Sequence, residues 1–308
     1  MTPYTVQIGG RHFSTRVQNI NMSRDPEQKE FLFTPSDFER IRTMLYKHSG
    51  IKLNDSKMDM VYSRLARRLR ATGLKTFQDY LSLVEQAQDD EWEVFINSLT
   101  TNLTAFFREP HHFPLLKEHV LSLRKRPLRL WCSASSTGEE AYTIAMSMVE
   151  AFGSYKPPVE IIATDIDTNV LSKAKVGIYP MDRVEKLPQE TLKRFFLKGT
   201  GNNAGCVQVR KELRDLISFH QLNLLDTRWP ISGTFDVIFC RNVMIYFDKD
   251  TQYQILKRFA PMLESHGLLF AGHSESLHHA ADFFKLRGQT VYELAPNARH
   301  SRSGGGIV

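Results

Sequence analysis

The stretch LRLWCSASSTGEE, residues 128–140, has the composition of a ligand loop. A short apolar run (Leu128, Leu130, Trp131) leads into Ser133, Ser135, Ser136, Thr137 and Gly138, then two acids, then a helical pattern over 141–152. Strand, small-residue turn, acid and helix is how an open α/β fold builds a ligand crevice at the carboxyl ends of its strands. Small side chains let the backbone approach a ligand closely. With a single glycine the loop is not the dinucleotide fingerprint, and Glu139 and Glu140 would repel a pyrophosphate. A nucleoside carrying positive charge suits them, and S-adenosyl-L-methionine is the common one. An ordinary βα turn, with acids favoured by the positive helix end, accounts for the stretch equally well.

Three further segments carry polar groups to the ends of apolar runs. VEIIATDID (159–167) reads as a buried strand ending in acid, which places Asp165 or Asp167 to accept hydrogen bonds from ribose hydroxyls. Either aspartate is equally suited to capping the helix that starts near Thr168. FDVIFCRN (235–242) is a strongly apolar strand delivering Arg241 and Asn242 to the same edge, with Tyr246 just beyond. TTNLTAFFR (100–108) places two aromatics between Asn102, Thr104 and Arg108, as a linker that packs on a domain and aims polar groups at a crevice. Helix capping and a surface charge are the alternatives there. The paired histidines 111–112 and 278–279 lack the further ligands a metal site needs, so no metal is expected.

The elements that must position these groups follow from periodicity. At 308 residues, 42% hydrophobic and 24% charged, the chain suits two soluble domains, or one α/β domain with an appendage. It shows no signal-peptide pattern and no membrane-length apolar run, so a cytoplasmic protein without membrane insertion is expected. The three cysteines have no regular spacing, which argues against disulfides and zinc. Residues 1–32 read as a flexible extension with a possible short β segment at 4–8. Residues 33–99 read as four helices, near 34–50, 56–72, 77–88 and 91–99, forming an N-terminal all-helical domain. The second helix buries Met58, Val61, Leu65 and Leu69 and carries Lys57, Arg64, Arg67, Arg68 and Arg70 on much of the rest. That stripe suits either a solvated surface or an acidic partner. Residues 100–127 read as a linker, 128–296 as the α/β domain and 297–308 as a disordered tail. A small antiparallel insertion is expected at about 177–220, including β-like runs at 206–210 and 216–220.

Taken in order, five stretches resemble the chemotaxis receptor protein-glutamate O-methyltransferases, the CheR family. They are TTNLTAFFREPHHF (100–113), STGEEAYTIAM (136–146), ATDIDTNVLSKAKVGIY (163–179), FDVIFCRNVMIYFD (235–248) and LLFAGHSES (268–276). The resemblance spans about 260 residues, and five motifs in register are specific where one would be weak. Cys132 and Ser135 depart from the small residues common in the opening loop. The resemblance implies a class I, Rossmann-like methyltransferase domain with an N-terminal all-helical domain and a small antiparallel β-subdomain insertion. It implies S-adenosyl-L-methionine as methyl donor and a ligand shell of Asn102, Thr104, Arg108, Glu139, Asp165, Asn223, Leu224, Arg241 and Asn242. Arg108 and Tyr246 match positions that meet the substrate.

The implied reaction is methylation of glutamate carboxylates on chemoreceptor cytoplasmic domains, leaving S-adenosyl-L-homocysteine. Lys57, Arg64, Arg67 and Arg68 then become a docking surface for an acidic receptor helix. The β-subdomain resembles that of members tethered to a receptor C-terminal peptide by edge pairing, which would associate the enzyme with receptor arrays. A monomer is expected, and no nucleic-acid partner. The alternatives are an RNA or small-molecule methyltransferase, which lacks support from basic patches interleaved with aromatics, and a non-enzymatic cofactor sensor. Arg108 and Tyr246 favour an enzyme over a sensor.

Overall fold

The computed structural model describes residues 29–87 and 90–300; the expected extension up to residue 28 and tail beyond 300 lie outside them. Four helices come first: α1 (Pro35–Ser49), α2 (Met58–Thr72), α3 (Phe77–Gln86) and α4 (Asp90–Leu99). Thr34 and Asp37 form a capping box at the start of α1, and Gly50 ends it in the left-handed region at φ 69°, the usual glycine stop. Val61, Leu65 and Leu69 of α2 are buried against Ile41, Leu45, Phe77, Tyr80 and Phe95. One apolar stripe per helix thus forms a core of its own.

Helix α5 (His112–Ser122) follows, then β1 (Leu128–Cys132), α6 (Glu139–Phe152), β2 (Val159–Asp165) and α7 (Thr168–Val176). The segment expected to be a plain linker therefore contains an 11-residue helix, whose Phe113, Leu116 and Val120 join the main core. Next come β3 (Ile178–Pro180), α8 (Gln189–Phe195), β4 (Phe196–Lys198), β5 (Cys206–Val209), α9 (Lys211–Arg214) and β6 (Ile217–Gln221). The chain closes with β7 (Phe235–Cys240), α10 (Lys249–Phe259), β8 (Leu263–Ala271), β9 (Phe284–Gly288), β10 (Val291–Leu294) and α11 (Pro296–His300). The start of the expected disordered tail is thus a short helix.

Seven strands form one sheet in the order β6-β2-β1-β7-β8-β10-β9. Its first five strands pair in parallel, and β10 runs antiparallel to both β8 and β9. Every residue of β7 is buried, as expected for a strand covered on both faces. Strands β3, β5 and β4 form a separate antiparallel sheet. The insertion is shorter than the sequence suggested. The run near 216–220 pairs in parallel with β2, so it is the edge of the main sheet rather than part of the small one. An isolated apolar run does not reveal its partner, which explains the difference.

The chain order departs from β1 through β2 to β6, then returns to β7 on the other side of β1. The crevice at such a reversal, beyond the carboxyl ends of β1 and β7, is where open α/β sheets bind ligands. The helical domain covers this end: the Lys52 N–H donates to the Tyr246 carbonyl, and the Asn223 amide to the His48 carbonyl, both at 2.8 Å.

Candidate active site

A cavity opens at this reversal, between the helical domain and the sheet. Its lining includes Asn102, Thr104, Arg108, Asp165, Asn223 and Leu224, together with Arg241, Asn242, Tyr246 and Lys57. The linker and the loops after β2, β6 and β7 therefore converge on it, beside Lys57 of the helical domain.

Of Asp165 and Asp167, only one caps the following helix. Asp167 is the N-cap of α7, accepting from the backbone of Asn169 and Val170. Asp165 is buried at the end of β2, accepting from the Ser136 N–H at 2.8 Å and the Asp167 N–H at 3.0 Å. Burial pushes its carboxyl up to about 6. Asn102 donates to Asp167 at 2.8 Å, which fixes the linker to the β2 end.

On the β7 side, Arg241 is buried. It donates to Glu140 at 2.7 Å and to the Arg108 carbonyl at 2.6 Å, and pairs with Glu109 at 3.2 Å. Burial alone would raise Glu109, but His273, Arg241 and Asn242 outweigh it and bring the carboxyl down to about 2. Glu140, in contrast, is raised by burial against the pull of Arg241. The Arg108 peptide sits between two residues of positive φ, Phe107 at 52° and Glu109 at 54°, conformations that must be held by their surroundings. Arg241 supplies that hold. Asn242 is left-handed too, with its N–H on Glu275 at 2.8 Å. A β-carbon on Gly272 would lie 2.4 Å from the Asn242 amide nitrogen, so this approach requires glycine.

At the mouth, Arg108 and Tyr246 are half-buried. Burial raises the Tyr246 phenol, and the charge of nearby Arg108 opposes that rise. Leu103 and Ile245 line the same opening and are exposed.

The description "CheR methyltransferase, SAM binding domain" matches residues 102–293, and "CheR methyltransferase, all-alpha domain" matches residues 36–100. The chain belongs to the CheR methyltransferase family. It is 52% identical over 269 residues to "Chemotaxis protein methyltransferase 2" of Pseudomonas aeruginosa, covering 87% of this chain and 96% of that one. It is likewise 52% identical over 259 residues to "Chemotaxis protein methyltransferase" of Escherichia coli, covering 84% and 90%.

The site's residues fit the S-adenosyl-L-methionine of this CheR domain. Ser133, Ala134 and Ser136 leave the wall of the cavity low, Leu222 and Leu224 make one side apolar, and Asp165 and Glu140 bring carboxylates to its floor. The Glu140 carboxylate, paired with Arg241 at the cavity wall, suits the cationic end of such a ligand.

Two expectations shift in register or role. Glu139 does not line the cavity; the next residue, Glu140, does. The Glu139 carboxylate instead meets Arg183 and accepts from the Thr137 hydroxyl at 2.6 Å. In a pair of adjacent acids opening a helix, composition does not say which faces the crevice. The docking stripe also divides. Arg64 donates to the Thr100 carbonyl at 2.6 Å, tying its helix to the linker, and Arg68 pairs with Glu91 at 3.0 Å within the helical domain, so both are spent inside the molecule. Lys57 and Arg67 are exposed. Asn223, besides lining the cavity, bonds His48 and the Leu225 N–H. Glu109 was missed as an anchor, although it lies in the quoted FFREP motif.

Among the described residues, Glu109, His111 and His112 bring possible metal-ligand atoms within 4.8 Å of one another. Glu109 is already held by Arg241 and His273, and His112 Nε2 by the Gln289 carbonyl at 2.9 Å.

Proposed function

We propose that this protein transfers a methyl group from S-adenosyl-L-methionine to glutamate side chains on chemoreceptor cytoplasmic domains, forming methyl esters in chemotaxis adaptation. The observation that carries this reading is the convergence of Asp165, Glu140, Arg108 and Tyr246 on one crevice of a CheR chain. The bound cofactor supplies a methyl group activated by its sulfonium.

The protein's own task is mostly placement. A glutamate side chain is already ionised at neutral pH, so the site needs no general base. It must hold the carboxylate oxygen in line with the methyl carbon, an orientation effect. Arg108 positions that carboxylate by charge-assisted hydrogen bonding, and Tyr246 orients it from the other side of the mouth. Asp165 accepts from the ribose, and the Arg241–Glu140 pair with Asn102, Thr104, Asn223, Leu224 and Asn242 completes the cofactor shell. The helical domain closes over the cavity and reduces its contact with water.

Lys57 and Arg67 form the docking surface for an acidic receptor helix, with Arg64 and Arg68 supporting it from beneath. This division leaves less free positive charge for an RNA substrate. The small sheet offers open edges at β3 and β4. Ile178 and Leu197 both stand opposite Gln208, so they share a face, and they are 42% and 46% exposed. An extended receptor C-terminal peptide fits such an edge. Residues 33–99 and 128–296 are the two domains joined by 100–127, and the enzyme works as a cytoplasmic monomer at receptor arrays.

Calorimetric titration with S-adenosyl-L-homocysteine, then with a receptor C-terminal peptide, tests the reading. Binding of both supports a tethered receptor methyltransferase. Binding of the homocysteine product alone leaves docking to Lys57 and Arg67. No binding of either sinks the proposal.

A further inference from the structure

The small sheet grips both segments that wall the cofactor cavity. Phe106, from the linker, packs edge-on against Tyr179 of β3 and Phe196 of β4, with ring centroids 5.0 and 5.3 Å apart. The Tyr179 hydroxyl donates to the Thr137 carbonyl at 2.6 Å. A β-carbon on Gly138 would lie 3.0 Å from that hydroxyl and 2.9 Å from Ala174 Cβ, so loop and insertion meet without slack. Arg183, just after β3, closes the grip. One of its nitrogens donates to the Thr104 carbonyl at 2.8 Å and also to the Glu139 carboxylate.

Glu139 is only 1% exposed, and a carboxylate buried that deeply requires a charge partner. Arg183 comes to it from solvent, across the boundary between the two sheets. The same guanidinium therefore ties Thr104 on one wall of the cavity to the residue beside Glu140 on the other. Thr104 and Glu140 both line that cavity.

We infer that Arg183 is a positioning residue for the cofactor site, acting through Glu139 and the Thr104 carbonyl, and that the inserted sheet is a structural wall of that site. The inference rests on the reading of this cavity as the S-adenosyl-L-methionine site. Loss of Arg183 leaves the buried Glu139 charge without a cationic partner, so the head of α6 and the linker move apart to let water reach it. Affinity for the cofactor then falls, while recognition of the receptor, made elsewhere, changes little.

The test is calorimetry with S-adenosyl-L-homocysteine on the full chain for R183A, R183K, E139Q and the double variant R183A/E139Q, alongside receptor-methylation kinetics. Kd is expected to rise about tenfold in R183A and less in R183K. In the double variant E139Q removes the stranded charge, so Kd should return towards wild type rather than rise further. KM for receptor at saturating methyl donor should stay within twofold. An R183A Kd within twofold of wild type, or effects that simply add, overturns the inference. If R183A does not fold, R183K against E139Q decides: equal wild-type affinity in both overturns it, and weakened affinity in R183K alone supports it. Failure of the wild-type protein to bind would instead count against the cavity assignment itself.

Discussion

Arg108 and Asp165 are both polar residues at the cavity, but their surroundings give them different work. Arg108 sits half-buried at the mouth, its peptide held by Arg241 and its guanidinium donating to the Leu103 carbonyl at 3.0 Å, with further N–H groups left to meet a substrate carboxylate. Arg108→Ala should lower kcat by about a hundredfold, the scale of a lost orientation contact, with a much smaller change in S-adenosyl-L-homocysteine Kd. Equal losses would move Arg108 to the cofactor. Asp165, raised to about 6 by burial, would serve the ribose contact proposed above best as the ionised acceptor. The ligand therefore favours the deprotonated form, and affinity should be flat above pH 6 and weaken below it, by up to about tenfold per pH unit. Calorimetry from pH 5 to 8 checks the slope, and Asp165→Asn should remove it.

At the scale of elements, the turn after β8 is fitted to the turn after β7. Glu275 accepts from the Gly272 N–H at 2.6 Å and from the Asn242 N–H at 2.8 Å, which stitches the two turns together. Gly272→Ala drives a methyl group into the Asn242 amide, an overpacking that costs about 1–3 kcal/mol. A melting temperature several degrees lower is the expected result, and an unchanged one would mean the turns are not coupled. Helix α2 yields a second expectation. Charge reversal at Lys57 and Arg67 should raise receptor KM and flatten its dependence on salt, leaving kcat at saturating receptor close to wild type. Steady-state kinetics over a range of ionic strength distinguishes this from a general loss of activity.

Across the whole molecule, the cavity exists because the helical domain closes over the sheet. Gly50 is central to that closure. It takes φ 69° at the end of α1, and a β-carbon there would lie 2.8 Å from Leu225 of the catalytic domain. Gly50→Ala combines left-handed strain of about 1–2 kcal/mol with a clash at the domain boundary. Reduced thermal stability together with weaker binding of S-adenosyl-L-homocysteine is expected. Gly73 shares the left-handed geometry with nothing within 4 Å, so Gly73→Ala should lose stability without losing affinity.

Much of this was legible in the chain itself. Periodicity delimits the four N-terminal helices, with glycine stops ending the first two, because a buried stripe and a cap are local properties. Apolar runs ending in Asp165 and Arg241 mark the central strands, because a strand covered on both faces must be apolar throughout. The five motifs point to the family and its cofactor. What the tertiary structure decided is what depends on partners distant in sequence. It assigned capping to Asp167 and the crevice to Asp165, turned Glu140 rather than Glu139 into the cavity, and spent Arg64 and Arg68 internally. It moved the run near 216–220 from the insertion to the main sheet, and it brought Arg183 to Glu139. Each of these choices is between neighbours or near-equivalent residues, and residue type cannot separate them. Only the direction imposed by packing can.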